Sequence, residues 1–200
     1  EQYENTASFA QNFDKAVATR DRAKTIVDKM FDNFANNEIF AIDEAKTSIA
    51  ECAKNIITNP DPMLWLGMIK NKDDYTAEHS LNVAMLSMVI GRAEGLDKQA
   101  LEHLGICAML HDIGKVKIPD NILQKEGNLD ASEYETMKMH TVHGHKLLLN
   151  QPNIPEAAPY AALLHHEKID GSGYPQGIKG SEIPYNCLLY TSDAADDPTC

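Results

Sequence analysis

The chain has 200 residues, 43% of them hydrophobic and 24% charged, which suits one compact domain or one domain with a helical extension. A formal charge of -12 argues against sequence-independent binding to a nucleic-acid polymer, though a metal or a few lysines can reverse the sign locally for an anionic small substrate. No apolar run approaches the ~20 residues of a membrane span. Residues 1–20 lack a signal-peptide layout, and Cys52, Cys107, Cys187 and Cys200 lack zinc-pair spacing, so the expectation is reduced thiols in a cytoplasmic protein.

In chain order, nearly everything reads helical. Residues 8–35 place Phe9, Phe13, Val17, Ile26, Val27, Met30 and Phe34 at roughly helical spacing, and "NNE" at 36–38 breaks the pattern. A second helix fits 43–58, with Ile42, Ala45, Ile49, Ala53, Ile56 and Ile57 on one side, and "NPDP" at 59–62 ends it. These helices read as packing or dimerisation elements, so a homodimer is one expected assembly. Asp73 or Asp74 is placed to cap a helix running to about Arg92, whose centre "LNVAMLSMVI" is apolar on nearly all faces and therefore buried. Gly95 marks a break, and Asp97 can cap a helix over about 98–110, with Cys107 in its core. Ser132 and Glu135 are spaced as a capping box for a helix to about Asn150. Pro155 suits the first position of a helix reaching about His166, and "DGSGYPQG" at 170–177 must be a loop. No strand pattern or repeat emerges, so the fold class is all-α.

Five of the eight histidines lie at or near predicted helix ends beside other polar groups: His79, His111, His140, His165 and His166. Any one alone reads as a satisfied core or surface residue, and His103, His143 and His145 keep that reading. Together with Asp112 they change the reading. Imidazole with carboxylate suits Fe, Mn, Co, Ni or Zn, whereas Ca and Mg prefer oxygen alone. Adjacent helical residues point ~100° apart, so His111–Asp112 or His165–His166 can address one site from two directions, or two neighbouring ions. A carboxylate can bridge two ions. Two ions ~3.5–4 Å apart clamp the attacking and leaving oxygens of a phosphoryl displacement and ease deprotonation of a water between them. In that arrangement Asp112 bridges, His111 ligates, and Lys115 neutralises a phosphate oxygen.

"HSLNVA" at 79–84, "HDIGKVKIPDNIL" at 111–123, "MKMHTVHGHKLL" at 137–148 and "HHEKIDGSGYPQGIKG" at 165–180 resemble the HD-GYP family, the HD-domain phosphohydrolases that degrade cyclic di-GMP. The resemblance covers about residues 73–184 and implies an HD-domain helical bundle, preceded by a helical N-terminal region over 1–72. It implies two or three divalent transition metals, often iron or manganese, and hydrolysis of cyclic di-GMP to pGpG and in some members to GMP. By motif, His79, His111 and Asp112 belong to one metal site, and Asp112 bridges to a second made by His140, His165 and His166. Lys115 is implied to contact the scissile phosphate. Asp170, Gly171, Gly173, Tyr174 and Pro175 form a signature loop near the substrate, associated in the family with contacts to diguanylate cyclase domains. The loop's glycines permit positive φ and close approach, and Tyr174 either stacks on guanine or packs. Three-metal members carry a glutamate one turn before the first histidine. Tyr75 stands there, and Glu78 has the wrong offset, so two metals are expected.

The resemblance departs after "SEIPYN". A further ligand aspartate is expected near residue 194, which is Ala194; Asp193 and Asp196 lack its context. Residues 187–200, "CLLYTSDAADDPTC", read as a divergent tail or as translated sequencing-adapter read-through. The HD-GYP domain is therefore assigned to 73–186, incomplete at its C-terminal end. The first metal site is expected to bind weakly, and the 200-residue chain to hydrolyse cyclic di-GMP poorly or not at all. The alternative function is a catalytically impaired module that binds cyclic di-GMP or a protein.

Overall fold

The computed structural model describes residues 3–38, 40, 42–68 and 75–183, without the side chains of Tyr75 and Thr76. Every regular element among them is helical, as the periodicity requires, and the chain divides into two compact units, Glu1–Met109 and Leu110–Cys200.

The first unit is built on α1 (Phe9–Ala35), α2 (Ile42–Thr58), α3 (Asp61–Gly67) and α4 (Tyr75–Ala93). Ser8 starts α1 with a capping box: its hydroxyl accepts from the Gln11 N–H, and the Gln11 side chain accepts from the Ser8 N–H. The buried stripe Ala16, Ala23, Val27, Met30 and Phe34 faces α2, whose Ala45, Ile49, Cys52, Ala53 and Ile56 are also buried. Buried amides tie the ends of these helices together. Asn12 donates to the carbonyls of Asn55 and Asn59 at 3.2 and 3.3 Å, and Asn55 donates to the Thr19 hydroxyl at 3.1 Å.

The break at 59–62 falls where the prolines put it and does a second job. Proline does end α2, but its fixed φ also suits the first turn of a new helix, so the same residues open the short α3. α4 is buried along Leu81, Val83, Ala84, Met85 and Met88, as its apolar sequence predicts, and it packs on α1, α2 and α3. The suggested caps Asp73 and Asp74 lie outside the described residues. α5 (Lys98–Leu110) begins with Asp97, whose carboxylate accepts from the Ala100 N–H at 2.8 Å. A Cβ at Gly105 would meet Met88 Sδ at 2.7 Å and Ile49 Cγ2 at 2.8 Å, so any larger residue there would force those side chains to shift.

The second unit continues from Leu110 through a 3-10 turn (Ile113–Lys117), α6 (Asp120–Leu123), α7 (Ala131–Leu149) and α8 (Ala157–Leu164). The 3-10 turn and α6 are too short for a periodic sequence signal. The capping box of α7 is Asp130 with Glu133, not Ser132 with Glu135. The Asp130 carboxylate accepts from both the Ser132 and Glu133 N–H groups, at 2.8 and 2.9 Å, which fixes the start two residues earlier. α8 also begins later than Pro155 suggested, at Ala157, and ends at Leu164 rather than about His166. The "DGSGYPQG" segment is a loop.

Candidate metal centre

A seam of small residues brings the histidines of the second unit together. The 3-10 turn carrying Gly114 and Lys115 lies against α7, and α7 lies against α8. A Cβ on Gly114 would collide with the His140 carbonyl and the Gly144 nitrogen. A Cβ on Gly144 would sit 3.1 Å from the Ala162 Cβ. These close approaches place Asp112, just before the turn, beside His140 on α7 and His165–His166 just after α8.

One donor atom from each of Asp112, His140, His165 and His166 lies within 4.8 Å of the others. Asp112, His140 and His165 are buried, and His166 is half-buried. The Nδ1 of His140 donates to the Met137 carbonyl at 2.7 Å, and that of His165 to the Ala162 carbonyl at 3.0 Å. A carbonyl only accepts, so each Nδ1 carries its ring's proton. Burial holds both rings below their usual pKa, His140 at about 3, so both are neutral at pH 7. Each therefore presents a lone pair at Nε2. Those two atoms are 3.1 Å apart, and each is 3.4 Å from Asp112 Oδ1.

Three electron-rich atoms thus converge with no proton among them. This is a repulsive arrangement that a cation relieves, and the Nδ1–carbonyl bonds are those that orient metal-ligating imidazoles. The donor set therefore fits a divalent transition ion. The other carboxylate oxygen looks elsewhere: Asp112 Oδ2 lies 2.9 Å from Lys115 Nζ and 3.2 Å from His111 Nε2. Burial works to raise the Asp112 pKa, but the Lys115 ammonium and His111 hold it well below the usual carboxylate range. Asp112 is thus an anion with its two oxygens turned to different histidines. Lys115 is itself fully buried against it. His79 lies half-buried on α4 of the first unit, one residue after Glu78. Glu78 is buried in an ion pair with Arg20 of α1, a structural use consistent with its wrong offset as a ligand.

The signature loop folds back over the residues just after α8. The Tyr174 N–H donates to the His166 carbonyl at 3.2 Å, and the Tyr174 ring stacks on the His166 ring at 4.6 Å with an 18° tilt. The two glycines serve different needs. Gly171 takes φ +80°, and a Cβ on Gly173 would collide with the His166 carbonyl and the Lys168 nitrogen. The Tyr174–Pro175 peptide bond is cis. Asp170 accepts from the Ser172 N–H and hydroxyl at 2.9 and 2.7 Å, so in this structure it shapes the loop's first turn. Of the residues set aside, His145 Nδ1 bonds the Pro159 carbonyl at 3.0 Å.

Sequence reasoning missed Glu167 and Gly144. Glu167 is buried, and its carboxylate accepts from three consecutive loop N–H groups, those of Gln176, Gly177 and Ile178, at 2.7, 3.1 and 3.1 Å. An acidic residue between two ligands and a glycine-rich loop was the available signal, since such loops carry unmet N–H donors.

The chain matches the HD domain family over residues 64–187. It is 32% identical over 183 residues to a Pseudomonas aeruginosa protein named cyclic di-GMP phosphodiesterase PA4108, covering 88% of this chain and 44% of that one. It is 38% identical over 110 residues to the Vibrio cholerae 3'3'-cGAMP-specific phosphodiesterase 2, covering 54% of this chain and 21% of that one. The chain thus spans less than half the length of these relatives. Among solved structures, Bd1817, an HDG"Y"P protein of Bdellovibrio bacteriovorus, superposes with a TM-score of 0.74 at 18% identity, covering 92% of this chain and 64% of that one. The fold is therefore the all-α fold of that protein. The chain belongs to the HD domain family, and within it its motifs resemble those of the HD-GYP proteins.

Proposed function

We propose that this chain is the metal-dependent phosphodiesterase part of a bacterial signalling protein, acting on cyclic di-GMP and releasing pGpG. The observation that carries the reading is the convergence of unprotonated Nε2 atoms of His140 and His165 on Asp112 Oδ1, with His166 beside them. Family membership supports it, as does the name of the Pseudomonas relative.

In this reading His140, His165, His166 and Asp112 would hold one ion, iron or manganese first. Asp112 and His111 would serve a second ion. Bound ions would supply Lewis-acid activation of the phosphoryl group and a more acidic water. The chain's own groups do the rest. Asp112 stays ionised because Lys115 neutralises it, and Lys115 shares its ammonium with a phosphate oxygen brought to the same carboxylate. Tyr174, Gly171, Gly173 and Pro175, with the turn set by Asp170, wall the substrate side. Diguanylate cyclase domains as partners, a homodimer and a cytoplasmic location belong to the same proposal. No described helix is long and apolar enough to cross a membrane.

The test is titration of the manganese-loaded chain with cyclic di-GMP and with 3'3'-cGAMP, alongside chromatography of products. The reading expects cyclic di-GMP to bind and linear dinucleotide to form only with metal, slowly for this sequence because position 194 is alanine. Failure to bind cyclic di-GMP would contradict it, and preference for 3'3'-cGAMP would move the substrate to that of the Vibrio relative.

A further inference from the structure

We infer that Glu167 is the positioning residue of the site: its carboxylate holds the signature loop in the register that seats Tyr174 on His166, and a bound cyclic dinucleotide reads that seating. The inference rests on the function proposed above. Three observations carry it.

Glu167 is 2% exposed, so its charge must be satisfied from within the protein. Its partners are three successive backbone donors, at Gln176, Gly177 and Ile178, with Gly177 at φ +65°. Consecutive N–H groups around a left-handed residue form an anion-binding concavity, and here the protein's own carboxylate fills it. Charge-assisted bonds of this kind are the strong class, and three to one group fix the loop's position and its twist. The segment so held begins two residues after Tyr174. On its other side, the Tyr174 N–H bonds the His166 carbonyl. The ring is therefore clamped between a backbone bond and the Glu167 nest while it covers the His166 ring. Glu167 follows His166 directly in sequence, so one short segment supplies the proposed metal ligands and the anchor for the loop above them. Glu167 acts through Tyr174 and has no need to touch the substrate.

The experiment compares Glu167→Gln with the unaltered chain in three measurements: Mn(II) titration, cyclic di-GMP titration of the manganese-loaded protein, and amide hydrogen exchange. Glutamine keeps the size and one good acceptor but turns an N–H₂ toward a donor. The expected result is Mn(II) affinity within about threefold, cyclic di-GMP affinity about tenfold weaker, and faster exchange at residues 176–178. In a Tyr174→Ala background the same change should add little, because the two residues act as one unit. Three results would overturn the inference: unchanged nucleotide affinity, an equal loss in the Tyr174→Ala background, or loss of Mn(II) together with nucleotide. Gln176→Pro deletes the 2.7 Å donor from the exposed loop side and should weaken nucleotide binding in the same way, which keeps the question open to test if Glu167→Gln fails to fold. If the unaltered chain binds no cyclic di-GMP, the proposed function fails; exchange at 176–178 then still reports whether Glu167 holds the loop.

Discussion

At the scale of single residues, the candidate centre is a problem in proton placement. Buried imidazoles pay for neutrality in acid: His140, His165 and His166 all sit below their usual pKa of 6.5, chiefly through burial. The unfolded chain binds protons at these positions near pH 6.5, and the folded chain does not until the pH is much lower. Below pH 6.5 the unfolded state therefore holds more protons, and stability falls as pH falls. Asp112 has a lowered pKa, so its stabilising contribution is lost only below the usual carboxylate range, outside this window. Chelator-treated protein should show a denaturation midpoint that drops between pH 7 and pH 5, and the metal-loaded form should resist until ligands protonate. A flat midpoint across that interval in the chelated form would contradict the protonation states assigned here. That Asp112, His140, His165 and His166 come together was legible from the sequence, because tandem imidazoles beside a carboxylate can address one site. Their tautomers were not, since these depend on which carbonyls of α7 and α8 the rings meet.

At the scale of elements, the site depends on how closely the 3-10 turn, α7 and α8 approach. A Cβ at Gly114 would meet backbone, at His140 and Gly144, and backbone of a packed helix cannot step aside. At Gly105 the obstacles are the Met88 and Ile49 side chains, which can adjust. Both Gly→Ala changes should destabilise, Gly105→Ala by about 1–3 kcal/mol and Gly114→Ala by more, with loss of metal affinity only for Gly114→Ala. Chemical denaturation and metal titration of the two variants check this; equal effects would show that the seam does not set the site. The long helices α1, α2, α4, α5 and α7 were legible because each carries a periodic apolar pattern or a cap. α3, α6 and the 3-10 turn were not, being too short for periodicity and held by their neighbours. The shifted capping box of α7 arose because two candidate caps stand two residues apart, and only the N–H geometry separates Asp130 from Ser132.

At the scale of the whole chain, motif and compactness divide it differently. The motifs set a boundary at 72/73, while the compact units meet between Met109 and Leu110. The helix α4, which opens the motif region, is covered by α1, α2 and α3, with Arg20 of α1 and Glu78 of α4 paired in the interior. In sequence, 1–72 reads as an extension because hydrophobic patterns show that a face is buried without showing against what. The tail at 187–200, Cys187 and Cys200 with it, and the position of the expected late aspartate lie outside the described residues. The group Asp112, His140, His165 and His166 lies wholly within one unit. Its most direct test is Mn(II) titration, with metal analysis, of the unaltered chain beside His165→Ala and His145→Ala. The unaltered chain and His145→Ala should hold an ion and His165→Ala should not; if the two variants retained metal alike, His165 would not be a ligand.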